Sequence, residues 1–348
     1  MIVLKNLLIV RTDRIGDVVL SLPIARLIKK YYPDCKVSFL VRNYTEPIVR
    51  NNPDIDEIII LKEEGKKIAL TENINRIKMK NFDSALVVYP TLPTAWIIYR
   101  TGIKHRVGTG YRWYSFLFNH KVFQHRKYAE HHELEFNIKM LEKFGIEESI
   151  DPARIKFNIT VDPISLSAIK SLLLLNGLKP EFKIIIVHPG SGGSSVDLPF
   201  EKFRDLIQKL SSDESNFLII TGSSSEKLLA DKLTADTRAI NLAGNLHLKE
   251  LIALISLCNI FISNSTGPIH IAAALDKYTI GFYPKIVECS ARRWGPYSSK
   301  GFIFEPKIDC NNCSRRLCGQ LNCMNSINTN DVLNKVNEII LNLSSQRS

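Results

Sequence analysis

Residues 7–21, Leu-Leu-Ile-Val-Arg-Thr-Asp-Arg-Ile-Gly-Asp-Val-Val-Leu-Ser, decide how the rest of the chain is read. Leu7–Val10 is a short apolar run of the kind buried on both faces of a parallel sheet. Arg11 to Asp17 is polar and turns at Gly16, where no Cβ restricts the backbone. From Val18 the apolar residues Val18, Val19, Leu22, Ala25, Leu27 and Ile28 recur at helical spacing. The pattern predicts a helix over 18–30, with Pro23 near its first turn, where a missing N–H does least harm. Asp17 is then expected at or just before a helix N-terminus, at the carboxyl end of a first strand, where open α/β sheets bind ligands. An N-cap role and a general-base role both suit it, since a helix N-terminus keeps a carboxylate ionised.

The same strand–loop–helix rhythm continues outward. Apolar runs at 36–41, 57–61, 84–89 and 105–108 read as strands, and 45–51, 66–80, 93–100 and 131–144 as helical stretches. Gly145, Pro152 and Pro163 interrupt the rhythm, a helix covers 164–176, and the pattern restarts at Lys183–Val187. Further strands are expected at 217–220, 239–241, 260–263 and 279–282, the last closing the sheet. Helices are expected from 199 or 200, at 226–233, 247–257 and 269–275, and finally over about 330–343. Alternation of this kind builds parallel sheets, and 348 residues suit two domains. The expected division is 1–165 and 166–348, with the final helix a candidate to pack back on the first domain.

Two loops of the second half suit an anion. His188-Pro189-Gly190-Ser191-Gly192-Gly193-Ser194-Ser195 lies between a strand and a helix, and its amides and hydroxyls at Ser191, Gly192, Gly193 and Ser194 can hold phosphate oxygens. It matches neither the dinucleotide fingerprint nor the Walker pattern. Asn264-Ser265-Thr266-Gly267-Pro268 precedes a helix with proline early in it. The amides of Thr266 and Gly267 would face a diphosphate at that helix N-terminus. His270, in the first turn, is a candidate to reach the same diphosphate, with packing or support of the site as the other reading. Glu226 follows the Gly222 turn, where a carboxylate can accept from ribose hydroxyls or face solvent on a helix.

Composition narrows the partners. Lys and Arg outnumber Asp and Glu by 46 to 35, a net charge of +11. No acidic residue occurs from Ser84 to Ala129, where Arg100, Lys104, Arg106, Arg112, Lys121, Arg126 and Lys127 all fall. Such a basic field attracts phosphates, acidic sugars or anionic lipid, and no nucleic-acid-binding motif accompanies it. The first apolar run ends at Arg11, too short for a signal peptide's usual layout, and no later stretch is apolar enough to span a bilayer. A cytoplasmic protein is expected. Cys310, Cys313, Cys318 and Cys323 are spaced more tightly than the usual two-knuckle zinc pattern and have no histidine nearby. Reduced structural thiols are the expectation, with metal as the alternative.

Residues 7–23 (LLIVRTDRIGDVVLSLP), 188–199 (HPGSGGSSVDLP), 264–275 (NSTGPIHIAAAL) and the CxxCxxxxCxxxxCM tract from Cys310 resemble glycosyltransferase family 9, the ADP-heptose:lipopolysaccharide heptosyltransferase family. The resemblance implies an α/β GT-B fold: two Rossmann-like doubly wound parallel-sheet domains with an interdomain cleft, acceptor on the first and nucleotide-sugar donor on the second. It implies an inverting, metal-independent transfer without a cofactor. The catalytic aspartate of the family's R-x-x-x-x-G-D motif corresponds to Asp17. The diphosphate loop corresponds to Ser265, Thr266 and Gly267, and the nucleotide-contacting glutamate to Glu226.

Two departures stand out. Family members commonly carry a basic residue two positions before a Trp-Pro pair; here Val196 precedes Leu198-Pro199. Heptosyltransferases often have Asp where this chain has Ser265. Loss of one cation beside a leaving diphosphate costs about 2–4 kcal/mol of transition-state stabilisation, and Arg292 or Arg293 is the expected substitute. The reading is a heptosyltransferase that draws in an anionic lipopolysaccharide core through Arg14, Arg100, Lys104, Arg106 and Arg112, with peripheral contact at the inner membrane. The alternatives are a family-9 transferase for a different nucleotide sugar, or a catalytically weakened envelope-assembly binding protein.

Overall fold

The computed structural model describes residues 4–308 and 313–345, so Cys310 lies outside the described residues. The chain divides into two compact units, one running to Arg126 and taking in Glu130–Thr160, the other formed by Lys127–Ala129 and the chain from Val161 onward. The second unit thus begins just before the helix over 163–175, inside which the 165/166 division would fall.

The first unit contains β1 (Asn6–Val10), β2 (Lys36–Val41), β3 (Glu57–Ile60), a small hairpin of β4 (Glu63–Glu64) and β5 (Lys67–Ile68), then β6 (Ser84–Val87), β7 (His105–Thr109) and β8 (His120–Val122). Its helices are α1 (Ile15–Val19), α2 (Leu22–Tyr31), α3 (Glu46–Val49), α4 (Leu70–Lys78), α5 (Leu92–Arg100) and α6 (Glu133–Lys139). The second unit opens with α7 (Pro163–Leu175) and continues through β9 (Lys183–His188), α8 (Phe200–Ser212), β10 (Asn216–Ile220), α9 (Lys227–Thr234), β11 (Ile240–Asn241), α10 (Leu248–Leu257) and β12 (Ile260–Asn264). It ends with α11 (Gly267–Ala274), β13 (Tyr278–Phe282), α12 (Ala291–Trp294), β14 (Gly301–Phe304), α13 (Arg315–Leu321) and α14 (Thr329–Ser345).

Both six-stranded sheets are wholly parallel and share one permutation, β3-β2-β1-β6-β7-β8 and β11-β10-β9-β12-β13-β14. In each, the chain starts in the middle, winds to one edge, and returns to build the other half. The strand order therefore reverses between β1 and β6, and again between β9 and β12. At such switch points the following loops diverge to opposite faces and leave a crevice at the carboxyl ends. The central strands are apolar on both faces because helices cover both: Leu7, Leu8, Ile9 and Val10 are wholly buried, as are Ile185, Ile186 and Val187. In α8 the residues at helical spacing, Phe203, Leu206, Ile207 and Leu210, are the ones buried.

The structure departs from the sequence expectations in places. The helix expected over 18–30 is two helices, starting earlier and breaking at Leu20–Ser21. Pro23 has no N–H to donate to the carbonyl of Val19, so α2 begins afresh with proline in its first turn. The 131–144 stretch is α6 followed by a tighter 3₁₀ turn ending at Gly145, which has φ +77°. The strand at 279–282 does not close its sheet: β14 pairs beyond β13. Strands β8 and β14 are short, partly exposed edge strands with no two-residue alternation to announce them. The final helix packs on its own unit, against α8, burying Val332, Val336 and Ile339.

Candidate functional site

In the first unit the loop after β1 carries a buried guanidinium. Arg11 is 1% exposed, and its Nε lies 2.8 Å from Asp13. Its Nη2 donates to Asp17 and lies 3.7 Å from Glu133 of α6. Glu133 also pairs with Arg126, which donates to Asn137 at 3.0 Å. Asn137 in turn donates to the Leu20 carbonyl at 3.1 Å, and the Ser21 hydroxyl to the Asp17 carbonyl at 2.8 Å. The network fixes Asp17 in position, in the first turn of α1 with its side chain 15% exposed. Three carboxylates here face two guanidinium groups. Burial pushes the Asp13 carboxyl up to about 7, against the pull of Arg11 and with the charges of Asp17 and Glu133 adding to the rise.

Sheet polarity sorts the basic residues. Arg14 lies in the loop after β1 and Arg112 in the loop after β7, both exposed and both at the carboxyl edge with Asp17. Arg100 ends α5 and Lys104 immediately precedes β7, which puts them at the amino edge. A five-residue strand, about 16 Å, separates the two edges. The Arg106 guanidinium donates to the carbonyls of Leu117 and Ile103 at 2.9 and 2.6 Å and lies over the Tyr99 ring. Of the five expected acceptor residues, sheet polarity thus gathers Arg14 and Arg112 near Asp17 and sends Arg100 and Lys104 to the far edge, while Arg106 ties down a turn. The same segment shows aromatic side chains to solvent: Trp113, Phe116 and Phe123 are 75%, 67% and 63% exposed. Tyr111 packs edge-on to Phe123, with ring centroids 5.5 Å apart.

In the second unit three loops meet at the switch point. The Asn264 amide donates to the Pro189 carbonyl at 2.5 Å and accepts from the Leu198 N–H at 2.9 Å. The Ser194 hydroxyl donates to the Ser265 and Ser191 carbonyls, each at 2.8 Å. The loop after β9 is thereby stitched to the loop after β12. Glu226 comes from the turn after β10, and its carboxylate accepts from the Ser223 N–H at 2.7 Å and hydroxyl at 2.8 Å. Burial works against its charge, but the Ser223 N–H and hydroxyl and the Gly192 amide hold the carboxyl below its ordinary range. It lies so close under the loop that a Cβ on Gly190 would sit 1.7 Å from Glu226 Oε1. Gly192 and Gly193 have φ of +56° and +76°, which a Cβ disfavours. Thr266 caps α11 without a side-chain hydrogen bond to it, and Gly267 opens the helix.

The model of glycosyltransferase family 9 (heptosyltransferase) matches residues 71–323. The chain belongs to glycosyltransferase family 9. A Haemophilus influenzae protein described as a glycosyltransferase, with no sugar named, is 28% identical over 298 residues, covering 84% of this chain and 86% of its own. The lipooligosaccharide heptosyltransferase 2 of the same organism is 24% identical, covering 80% and 83%. The structure of E. coli ADP-heptose lipopolysaccharide heptosyltransferase II superposes with a TM-score of 0.79 at 20% identity, over 98% of this chain and all of that one. The two like-wound parallel sheets are the GT-B fold.

In this family-9 glycosyltransferase, Ser191, Gly192, Gly193, Ser194, Ser265, Thr266, Gly267 and Glu226 come together at one crevice. His270 is buried in α11, its ring centroid 6.4 Å from that of Trp294. Sequence reasoning passed over Asn264, although an amide ending a buried strand is a signal that it bonds across loops. It also passed over Asp13 and Glu133, whose meeting with Arg11 depends on α6 returning to β1. Burial lowers His188 to about 4, with the Glu226 charge opposing, so its ring is neutral, and it bonds Thr221 at 3.0 Å. Cys318 and Cys323 are buried in the apolar core of the second unit, and Cys313 packs against that core. Among the described residues no helix is long and apolar enough to cross a membrane.

Proposed function

We propose that the chain transfers a heptose from ADP-heptose to the inner core of lipopolysaccharide, with inversion and without a metal. The observation that carries this reading is the meeting of the 188–195, 223–226 and 264–267 loops at one switch point, in a chain of the heptosyltransferase family. Backbone amides and hydroxyls at Ser191–Ser194 and Ser265–Gly267, with the N-terminus of α11, hold the donor diphosphate and its developing charge. Glu226 accepts from the ribose hydroxyls. Asp17 takes the proton of the acceptor hydroxyl as that oxygen attacks the anomeric carbon opposite the diphosphate. Arg11 orients the carboxylate. Arg14 and Arg112 draw in the anionic core.

A lipid-linked acceptor also implies work at a membrane surface on the cytoplasmic side. Exposed Trp113, Phe116 and Phe123 among Arg112, Lys121 and His125 support peripheral contact there, since aromatic rings favour the headgroup region and cations favour anionic lipid. Ser265, in a position where heptosyltransferases often carry Asp, favours a second reading in which the donor sugar differs. Both are tested by incubating the purified chain with heptose-free core acceptor and ADP-heptose, GDP-sugars or UDP-sugars. ADP release together with a one-heptose mass gain on the acceptor is expected. Transfer from another donor alone would establish the second reading, and no transfer from any donor would refute both.

A further inference from the structure

The glycine-rich loop has Val196 where a cation beside the diphosphate would be useful, and Val196 is itself packed against the core. A guanidinium nonetheless reaches the loop from a distant part of the chain. Arg315 opens α13, whose first turn is capped by the Ser314 hydroxyl accepting from the Leu317 N–H at 3.2 Å. Its Nη2 donates to the Ser194 carbonyl at 2.7 Å, and its Nη1 to those of Gly193 and Ser195 at 3.2 and 3.4 Å. Among the described residues no carboxylate forms an ion pair with it. The carboxylate its charge acts on is Asp197, which burial pushes above the usual carboxylate range while Arg315 opposes the rise, so the guanidinium stands beside the proposed diphosphate site without a direct ion pair.

Two further observations give this contact a direction. In a trans peptide the N–H points away from the carbonyl. Fixing the Ser194 and Ser195 carbonyls on Arg315 therefore turns the Ser195 and Val196 amides to the other side of the loop. Neither amide has a protein partner among the described residues. The cysteine-rich tract, which the transfer reading leaves without a role, supplies the support. Cys318, Cys323 and Met324 are buried in the core cluster that also holds Leu198, Phe203, Phe282 and Cys289. Those side chains anchor α13 and so place Arg315.

We propose that Arg315 is a positioning residue of the donor site: it holds the 193–195 carbonyls so that loop amides face a nucleoside diphosphate, and adds the positive charge that Val196 lacks. The proposal rests on the donor reading above. A planar guanidinium spans three carbonyls in a way that an ammonium cannot, so lysine restores the charge but only part of the geometry.

The test is calorimetric titration of the full chain with ADP and with adenosine, paired with amide hydrogen exchange over residues 190–196. Arg315→Met is expected to weaken ADP binding at least tenfold, to leave adenosine binding within twofold, and to speed exchange in the loop. Arg315→Lys should fall between the two. Arg316→Met, which removes the neighbouring charge on the same helix, should match the wild type. Unchanged ADP affinity or unchanged loop exchange in Arg315→Met would overturn the proposal, as would equal loss of ADP and adenosine, which marks general damage. A wild-type chain that binds ADP with the variant unaffected would leave the donor reading standing and remove only Arg315. A wild-type chain binding no nucleoside diphosphate would remove both.

Discussion

Arg11→Met removes the guanidinium that, among the described residues, touches Asp13, Asp17 and Glu133 together. The methionine keeps most of the stem but none of the charge. Removing one partner of a buried pair costs about 3–5 kcal/mol, because the remaining charge is left buried and uncompensated. In a unit of this size each kcal/mol lowers Tm by about 2–4 °C, so a drop of roughly 6–20 °C is expected for the first unit at pH 8. The loss depends on pH in a definite direction. Unfolded carboxyls titrate near 4, whereas burial already pushes folded Asp13 up to about 7 with Arg11 present. A raised folded value means that the folded state binds more protons between those limits. Stability therefore falls as pH rises from about 4 through the folded value, by up to ~1.4 kcal/mol per pH unit for each such group. Without Arg11 the Asp13 carboxyl loses the charge that opposes its rise, and the window widens upward. The deficit against wild type should be small at pH 5 and largest at pH 8, and the Arg11→Met/Asp13→Asn double variant should recover part of it. Calorimetric or fluorescence-detected melting from pH 5 to 8 measures this. A deficit below about 1 kcal/mol at pH 8, or one equal at both ends, would refute the account of Arg11 as the counter-ion of this cluster.

Asp17→Asn should lower kcat by about 10²–10⁴, the usual worth of a general base, while ADP affinity measured by titration stays within twofold; a smaller loss means that another group takes the proton. Gly190→Ala should raise the donor KM at least tenfold, because the new Cβ would lie 1.7 Å from Glu226 Oε1 and must drive that carboxylate off Ser223. In a double-mutant cycle with Glu226→Ala the two effects should fail to add, and full additivity would show that the glycine acts elsewhere. Trp113→Ser/Phe116→Ser should reduce sedimentation with vesicles of phosphatidylglycerol and phosphatidylcholine severalfold while leaving the melting temperature nearly unchanged, since both rings are exposed. Retained binding would move membrane contact to another surface.

Both Rossmann-like halves could be read in the chain because local signals there agree. The buried runs at Leu7–Val10 and Ile184–Val187 are apolar for a reason local to each strand, coverage on both faces, and the loops that follow carry turn chemistry of their own. The crevice loops are likewise legible, since each anion-binding feature lies within one strand–loop–helix unit. The edge strands β8 and β14 were missed because three or four partly exposed residues carry no periodic pattern. The basic stretch looked uniform along the chain, and only the direction of β7 separates Arg112 from Lys104.

What the amino-acid order settled was set by interactions between near neighbours: strand, turn, helix, and the placing of Asp17 and the serine–glycine loops at carboxyl ends. What tertiary structure alone decided were meetings across long separations. Arg11 finds Glu133 only when α6 returns to β1, and Arg315 finds the carbonyls of 193–195 only when buried cysteines seat α13 on the core. A charged side chain carries no local trace of its partner, because its neighbours in sequence do not determine which distant group it must neutralise.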